Sequence, residues 1–411
     1  MSTRTVAISD IAELNRDSLT QQSTPDSIYY LDTGNITKNK INDLHYLEKL
    51  NCDYPSRAKR CVQDKSIIYS TVRPNQEHFG FIVEPHKNLI VSTGFTTIDV
   101  IDDNVDPLYL YYCLTRKSIT DYLHTIGTNS VSAYPSINPG DIGCLVFDLP
   151  NNKRDQQKIA AVLSALDTKI ELNNRINAEL EAMAKTLYDY WFVQFDFPDK
   201  NGKPYKTSGG KMVYNETLKR PIPEGWSNGT LWDIANYFNG LPMQKHRPTR
   251  GEFLPVIKIK EMNEGYSAKT ERACLNIDKN AIVSSGDVLF SWSATLDVKI
   301  WSKSNGALNQ HIFKVTSNNY PRTFYYFELL NYLKHFKMMA DKRKTTMGHI
   351  TQDHLKQSKI CIPPKHLLNK VHTKINPIIE KCLLLEEQIQ TLTQLRDWLL
   401  PMLMNGQVTV K

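Results

Sequence analysis

At 411 residues the chain exceeds one ordinary hydrophobic core and suits two or three domains, with 41% hydrophobic and 10% aromatic residues to fill them. No apolar run approaches the ~20 residues that span a bilayer, the opening MSTRTVAISDIAELNRD lacks a secretory pattern, and seven scattered cysteines without a C-x-x-C pair argue for reduced thiols and against a structural zinc site. The formal charge of +7 is uneven: −5 over residues 1–150, zero over 151–192, +2 over 193–225, +8 over 226–364 and +2 over 365–411. A cytoplasmic protein is expected, and only its second large segment carries the overall footprint of a polyanion partner.

Taken in chain order, residues 1–150 mix β-like runs such as 65–72 with helical stretches such as 107–123. Despite the net negative charge, Arg57, Lys59, Arg60, Lys65 and Arg73 fall within 17 residues whose only acid is Asp64. Residues 151–194 follow as a long helix, with apolar positions at 159, 163, 166, 170, 176, 180, 183, 187 and 190. Such a narrow, sustained stripe points to a helix–helix seam over an amphipathic helix lying on its own domain. Asn173 and Asn174 interrupt it, and a buried Asn there would set register.

The segment 195–225 is rich in Pro, Gly, Lys and Asn and reads as an irregular crossing. Its aromatics Phe195, Phe197, Tyr205 and Tyr214, with Trp226 just beyond, predict that it packs along a domain. Residues 226–364 again mix β-like runs (287–291) with helix (321–339). Here Lys245, Arg247 and Arg250 crowd a loop, Lys258 and Lys260 alternate on a predicted strand, and Lys342, Arg343 and Lys344 form a run. Residues 365–411 give a second long helix, with Pro377 expected to kink it or mark its start.

The second half repeats the first. Asp10-Ile11-Ala12 recurs as Asp233-Ile234-Ala235, and Ile67-Ile68-Tyr69-Ser70 as Val288-Leu289-Phe290-Ser291. Tyr111-Tyr112 matches Tyr325-Tyr326, and Pro150 matches Pro364. The seam positions Ile159, Leu163, Leu166, Leu180, Met183 and Leu187 map onto Val371, Ile375, Ile378, Leu392, Leu395 and Leu399 at one offset of 212; Ile170 completes the first stripe. Offsets fall in small steps, as they would if loops were trimmed while elements kept their order. The fold expected is α+β: two mixed α/β domains, 1–150 and 226–364, separated by two long antiparallel helices forming a coiled coil, an internal pseudo-twofold repeat.

Catalytic signatures are not found. The sequence has no phosphate loop, H-E-x-x-H, G-x-S-x-G or Asn/Asp-Pro-Pro-aromatic tetrapeptide, and Pro198-Asp199 has no Glu-x-Lys partner in the crossing segment. No catalytic and no metal residues are assigned, and the dispersed histidines, His349 and His354 among them, read as loop residues. Basic clusters would neutralise phosphates while nearby loops read base edges. Ser70 and Thr71, and Ser291, Trp292 and Ser293, follow equivalent strands and are the candidate readers, with Arg73 beside the first pair.

The stretch RDQQKIAAVLSALDTKIELNNRINAELEAMAKTLYDYWFVQFDFPDKNGKPYKTSGGKMVYNETLKRPIPEGW (154–226) resembles the central region of specificity (S) subunits of type I restriction–modification systems. SSGDVLFSWSATL, TTMGHITQDHLKQSKICIPP and LRDWLLPMLMNGQV resemble that family's target-recognition domain and C-terminal helix, whereas TNSVSAYPSINPGDIGCLVFDLP departs from the Gly-containing loop of the second half. The resemblance implies two target-recognition domains reading a bipartite site in double-stranded DNA. It implies two methyltransferase (modification) subunits carrying S-adenosylmethionine and two restriction (translocase/nuclease) subunits using ATP and Mg. This chain would hold no cofactor and choose the sequence only. The competing readings are a stand-alone fused methyltransferase/nuclease and a coiled-coil scaffold that does not bind DNA.

Overall fold

The computed structural model describes residues 2–20, 24–129, 134–342 and 349–410. The chain divides into two compact units, Met1–Lys169 with Leu392–Lys411, and Ile170–Thr391. The two long helices are therefore shared between the units.

In the first unit, strand Thr3–Ala7 pairs antiparallel with Val146–Pro150. A single helical turn, Ile8–Ile11, leads into an antiparallel sheet ordered Ala12–Leu14, Phe95–Val100, Ile67–Ser70, Phe79–Phe81. A second sheet runs His45–Glu48, Ser27–Leu31, Leu89–Ser92, Ala58–Cys61, with its central pair parallel. All four residues of Ile67–Ser70 are buried, which is why that strand reads as a continuous run without alternation. The helix expected over 107–123 is two helices, Pro107–Leu114 and Lys117–Thr128. Asp106 caps the first by accepting from Tyr109 N at 2.9 Å, and Pro107 follows where a missing N–H costs nothing.

The second unit repeats this plan strand for strand. Ser227–Thr230 pairs with Lys359–Ile362, and the turn Leu231–Ile234 follows. One sheet is ordered Asn236–Asn239, Ile312–Thr316, Val288–Ser291, Asp297–Ile300; the other Arg272–Cys274, Phe253–Ile257, Gly306–Leu308, Ile282–Val283. The central pair of the latter is again parallel, flanked by antiparallel pairs. The long helix Arg322–Lys342 takes the place of the two shorter ones. Identical strand order and sense in both units establish the duplication that the offsets predicted.

The crossing segment packs on the second unit. Phe197 stacks on Tyr205 at 4.6 Å and on Trp226 at 5.4 Å, and Phe195 meets Trp226 edge-on. Phe195, Phe197 and Trp226 are all buried.

The first long helix spans Lys153–Tyr188 and continues as a π-helical turn, Asp189–Val193, before Phe195 ends it in the left-handed region at φ 66°. The second spans Lys365–Met404. Pro377 does not mark the start: the helix begins at Lys365, and the exposed proline loses one N–H bond on a helix anchored by buried Val371, Ile375 and Ile379. Within each unit the helices meet antiparallel. In the first, Arg396 donates to Asp167 at 2.9 Å, and the Tyr112 hydroxyl donates to the same carboxylate at 2.7 Å. In the second, Asn173 Nδ2 donates to Gln388 at 3.3 Å and Asn177 Nδ2 to Glu386 at 3.0 Å.

The seam expectation needs correction. Ile159, Leu163, Val371 and Ile375 are fully buried, but within the cores of their units, among domain side chains such as Leu110 and Leu149 or Phe324 and Phe327. Leu166, Ile170, Leu180, Leu187, Ile378, Leu392 and Leu399 are half-buried. Met183 and Leu395 face solvent at 56% and 40% exposure. The contact line of the first helix uses Asn173, Asn177, Ala184 and Tyr188, all buried, and Met183 lies about 100° around the helix from Ala184.

Truncation should sort these positions. Leu163→Ala and Ile375→Ala should each cost about 2–5 kcal/mol, whereas Met183→Ala and Leu395→Ala should fall within about 0.5 kcal/mol of wild type; urea unfolding midpoints measure both. A second test concerns Glu328, which accepts the Tyr188 hydroxyl at 2.7 Å. Burial pushes its carboxyl from 4.5 up to about 7, with the Tyr188 bond opposing. A carboxyl whose folded pKa is raised contributes stability that is full below about pH 4.5 and is lost as pH rises through 7. Glu328→Gln should therefore be more stable than wild type at pH 8 by roughly 2–3 kcal/mol, and the gain should shrink towards pH 5.

Candidate nucleic-acid interface

Each unit ends its buried central strand in a loop of the same construction. In the first, Ser70 turns inward: its Oγ donates to Val72 O at 3.0 Å and accepts from Val72 N at 3.2 Å. Thr71 N donates to Gly94 O at 2.8 Å, and Ile137 N donates to Thr71 O at 2.9 Å. Arg73 N is bound by Pro135 O at 2.8 Å, and its guanidinium lies 5.8 Å over the Tyr134 ring. In the second, Ser291 Oγ donates to Thr295 O at 2.6 Å and accepts from Asp297 N at 2.8 Å. Trp292 N donates to His311 O at 3.4 Å, and Ile350 N donates to Trp292 O at 2.9 Å.

Three residues beyond the strand-end serine, both loops place a non-glycine residue in the left-handed region: Arg73 at φ 47° and Ala294 at φ 53°. Each such residue costs on the order of 1–3 kcal/mol and persists only where the surroundings impose it, a cost typical of ligand clamps. The same device at the same place in both units singles out these loops.

The structure revises the roles of the candidate readers. Ser70, Ser291 and Ser293 are buried, and the first two spend their hydroxyls on their own loops, so they shape the loops and present nothing to a partner. Thr71 and Trp292 are half-buried at the loop surface, and Arg73 is exposed. Trp292 Nε1 is held by Asn239 Oδ1 at 3.0 Å, and the indole is flanked by the rings of His311 and His349 at 5.6 and 5.5 Å. Neither histidine was singled out as a reader from sequence, and Tyr134 was missed too. The duplication offset of 214 at Tyr111 and Pro150 carries Ile137 to Thr351, one residue past Ile350, but Gly94 gives no hint of His311.

The expected basic residues divide into free and engaged. Arg57 and Lys59 are exposed, and Arg57 O accepts Thr93 N at 2.8 Å, which ties it to the segment holding Gly94. Arg60 is half-buried and donates to Ser18 Oγ at 3.2 Å. Lys245, Arg247 and Arg250 stand exposed on the loop before strand Phe253–Ile257. Lys258 and Lys260 do not alternate on a strand: the strand stops at Ile257, Lys258 caps the short helix Ile259–Glu264, and Lys260 lies within it. Lys258 holds Glu271 at 2.5 Å, and that hydrogen bond, with Arg247 adding, keeps the Glu271 carboxyl below its ordinary range. Lys260 faces Glu264 at 3.9 Å. Lys342 closes the helix Arg322–Lys342, and Arg343 and Lys344 lie outside the described residues. Arg272, 4.1 Å over the Phe253 ring, is a further exposed cation on the same face of the strand pair.

The model of the type I restriction modification DNA specificity domain matches this chain twice, over residues 3–182 and 223–394. The chain belongs to that family. Its two matches are the two duplicated domains, each taken with most of its long helix. It is 25% identical to the HindI type I restriction enzyme specificity subunit of Haemophilus influenzae, over 93% of this chain and 94% of that one. It is also 25% identical to the MjaIX specificity subunit of Methanocaldococcus jannaschii, over 87% and 84%. The crystal structure of a type I restriction–modification S subunit from M. genitalium shares the fold, with a TM-score of 0.58 at 15% identity over 98% of this chain and 96% of that one. DNA recognition is the role of this chain, and no helix among the described residues is long and apolar enough to cross a membrane.

Free cations and engaged ones should behave differently. Arg57→Ala and Arg73→Ala should each weaken DNA binding across all sequences and reduce the slope of log affinity against log salt by about 1. Lys260→Ala should leave the slope within error, and fluorescence-anisotropy titrations at several salt concentrations distinguish the cases.

Proposed function

We propose that each unit reads one half of a bipartite site in double-stranded DNA, the chain serving as the non-catalytic specificity subunit of a cytoplasmic type I restriction–modification complex. The observation that carries this reading is the strained two-loop frame, built once in each duplicated unit, with the exposed Arg57 and Arg73 beside the first. Two non-identical frames in one chain suit an asymmetric site. Two modification subunits with S-adenosylmethionine would flip and methylate the target adenines. Two restriction subunits with ATP and Mg would translocate and cleave. The modification subunits would dock on the long helices, where Leu172, Met183 and Leu384 in the second unit and Leu395 and Trp398 in the first face solvent.

Co-expression with a type I modification (methyltransferase) subunit from the same organism, in cells without other adenine methylation, tests the reading by methylome sequencing. A two-part methylated motif that appears only when both proteins are present is expected. Methylation by the partner alone with the same motif, or by this chain alone, would refute it.

A further inference from the structure

The two units share a backbone frame but load it with different side chains, and this difference carries an inference that rests on the reading above. The frame has three positions fixed by two hydrogen bonds. In the first unit they are Thr71, bonded through its N–H to Gly94 and through its carbonyl to Ile137, with Ser136 just before. In the second they are Trp292, bonded identically to His311 and Ile350, with His349 just before. Pairing of the flanking strands gives the same correspondence: Ser70 lies opposite Phe95 and Ser291 opposite Ile312, so Gly94 and His311 occupy one register position.

We infer that these three positions determine which bases each half-site carries, the first unit reading with Thr71, Gly94 and Ser136 and the second with Trp292, His311 and His349. The chemistry differs sharply between the two. The first frame offers small groups and no bulk, and with the Thr71 hydroxyl already donated to Gly94 O at 2.9 Å it presents the Thr71 methyl and the oxygen's acceptor side. A Cβ at Gly94 would meet Thr33 Cγ2 at 2.8 Å, so the surrounding fold keeps this position bare. The second offers an indole whose only N–H is already given to Asn239, leaving an apolar face for a thymine methyl. On either side stand exposed imidazoles, with Gln310 Nε2 3.4 Å from His311 Nε2; their N–H groups and the Gln310 amide suit base-edge acceptors. Base readout needs side chains held in place by a second layer of contacts. Here the Asn239 bond and the ring contact of Trp292 with Phe313 at 5.9 Å supply it.

The test uses the full chain co-expressed with its methyltransferase, comparing His311→Ala, His349→Ala and Trp292→Phe with wild type by methylome sequencing. The two histidines are exposed and Trp292→Phe keeps an aromatic ring, so all three should fold, as thermal melting verifies. We expect discrimination at one or two bases of a single half-site to fall about tenfold or more, with the other half-site and the spacer unchanged. An unchanged motif in all three variants overturns the inference, as does equal relaxation of both half-sites. If wild type itself yields no sequence-specific methylation, the specificity-subunit reading fails instead, and that outcome is separate from either.

Discussion

The first unit depends on a contact between the two ends of the chain. Leu403 is buried in the same cluster as Ile159, Ala160 and Leu163, and Leu399, Leu400 and Met404 pack around it. Without the final helix the first unit would expose that apolar surface, so it cannot complete its core until the second unit has been made. Nearby, Arg396 and the Tyr112 hydroxyl share the Asp167 carboxylate, tying both long helices and a domain helix to one charge. A half-buried group of this kind is costly to leave unpaired and so fixes which residues face each other.

The polar contacts in the second unit act in the same sense. Asn173 and Asn177 are buried on the contact line and donate to Gln388 and Glu386, where an apolar seam would tolerate sliding. A shift by one turn would separate these amides from their acceptors, so register is specified at a cost in stability. Close by, burial and then Glu386 raise the Glu181 carboxyl, with Lys299 opposing.

On the proposed reading, the strand-end loops would let the two units diverge in what they recognise while keeping one fold. The serine that closes each strand is spent on its own loop, and the frame hydrogen bonds are all made by the main chain. Side chains at these positions differ between the units and still serve their own loops: the Thr71 hydroxyl donates to Gly94 O, the Trp292 indole donates to Asn239, and Thr33 crowds Gly94. Specificity can change there without disturbing the buried strand behind.

Much of this was legible in the residues. Continuous apolar strands, long 3- and 4-spaced helices and the ordered offsets between halves are local or periodic signals, and they determined the duplication and the domain class; the family came from the resemblance of the stretch 154–226 and its companions. Free cations such as Arg57 and Arg73 were also visible, because a basic cluster with one acid needs no three-dimensional knowledge. What the tertiary structure alone decided was pairing. Lys258 is a strand cation in the sequence reading but caps a short helix and is held by Glu271, 13 residues away; Met183 matches the apolar period but points outward; Ser70 and Ser291 sit where readers should be but turn in. His311 enters the site only because strand pairing brings it beside Trp292. Each depends on contacts distant in the chain, and a one-dimensional pattern records spacing along a strand or helix, not what stands opposite.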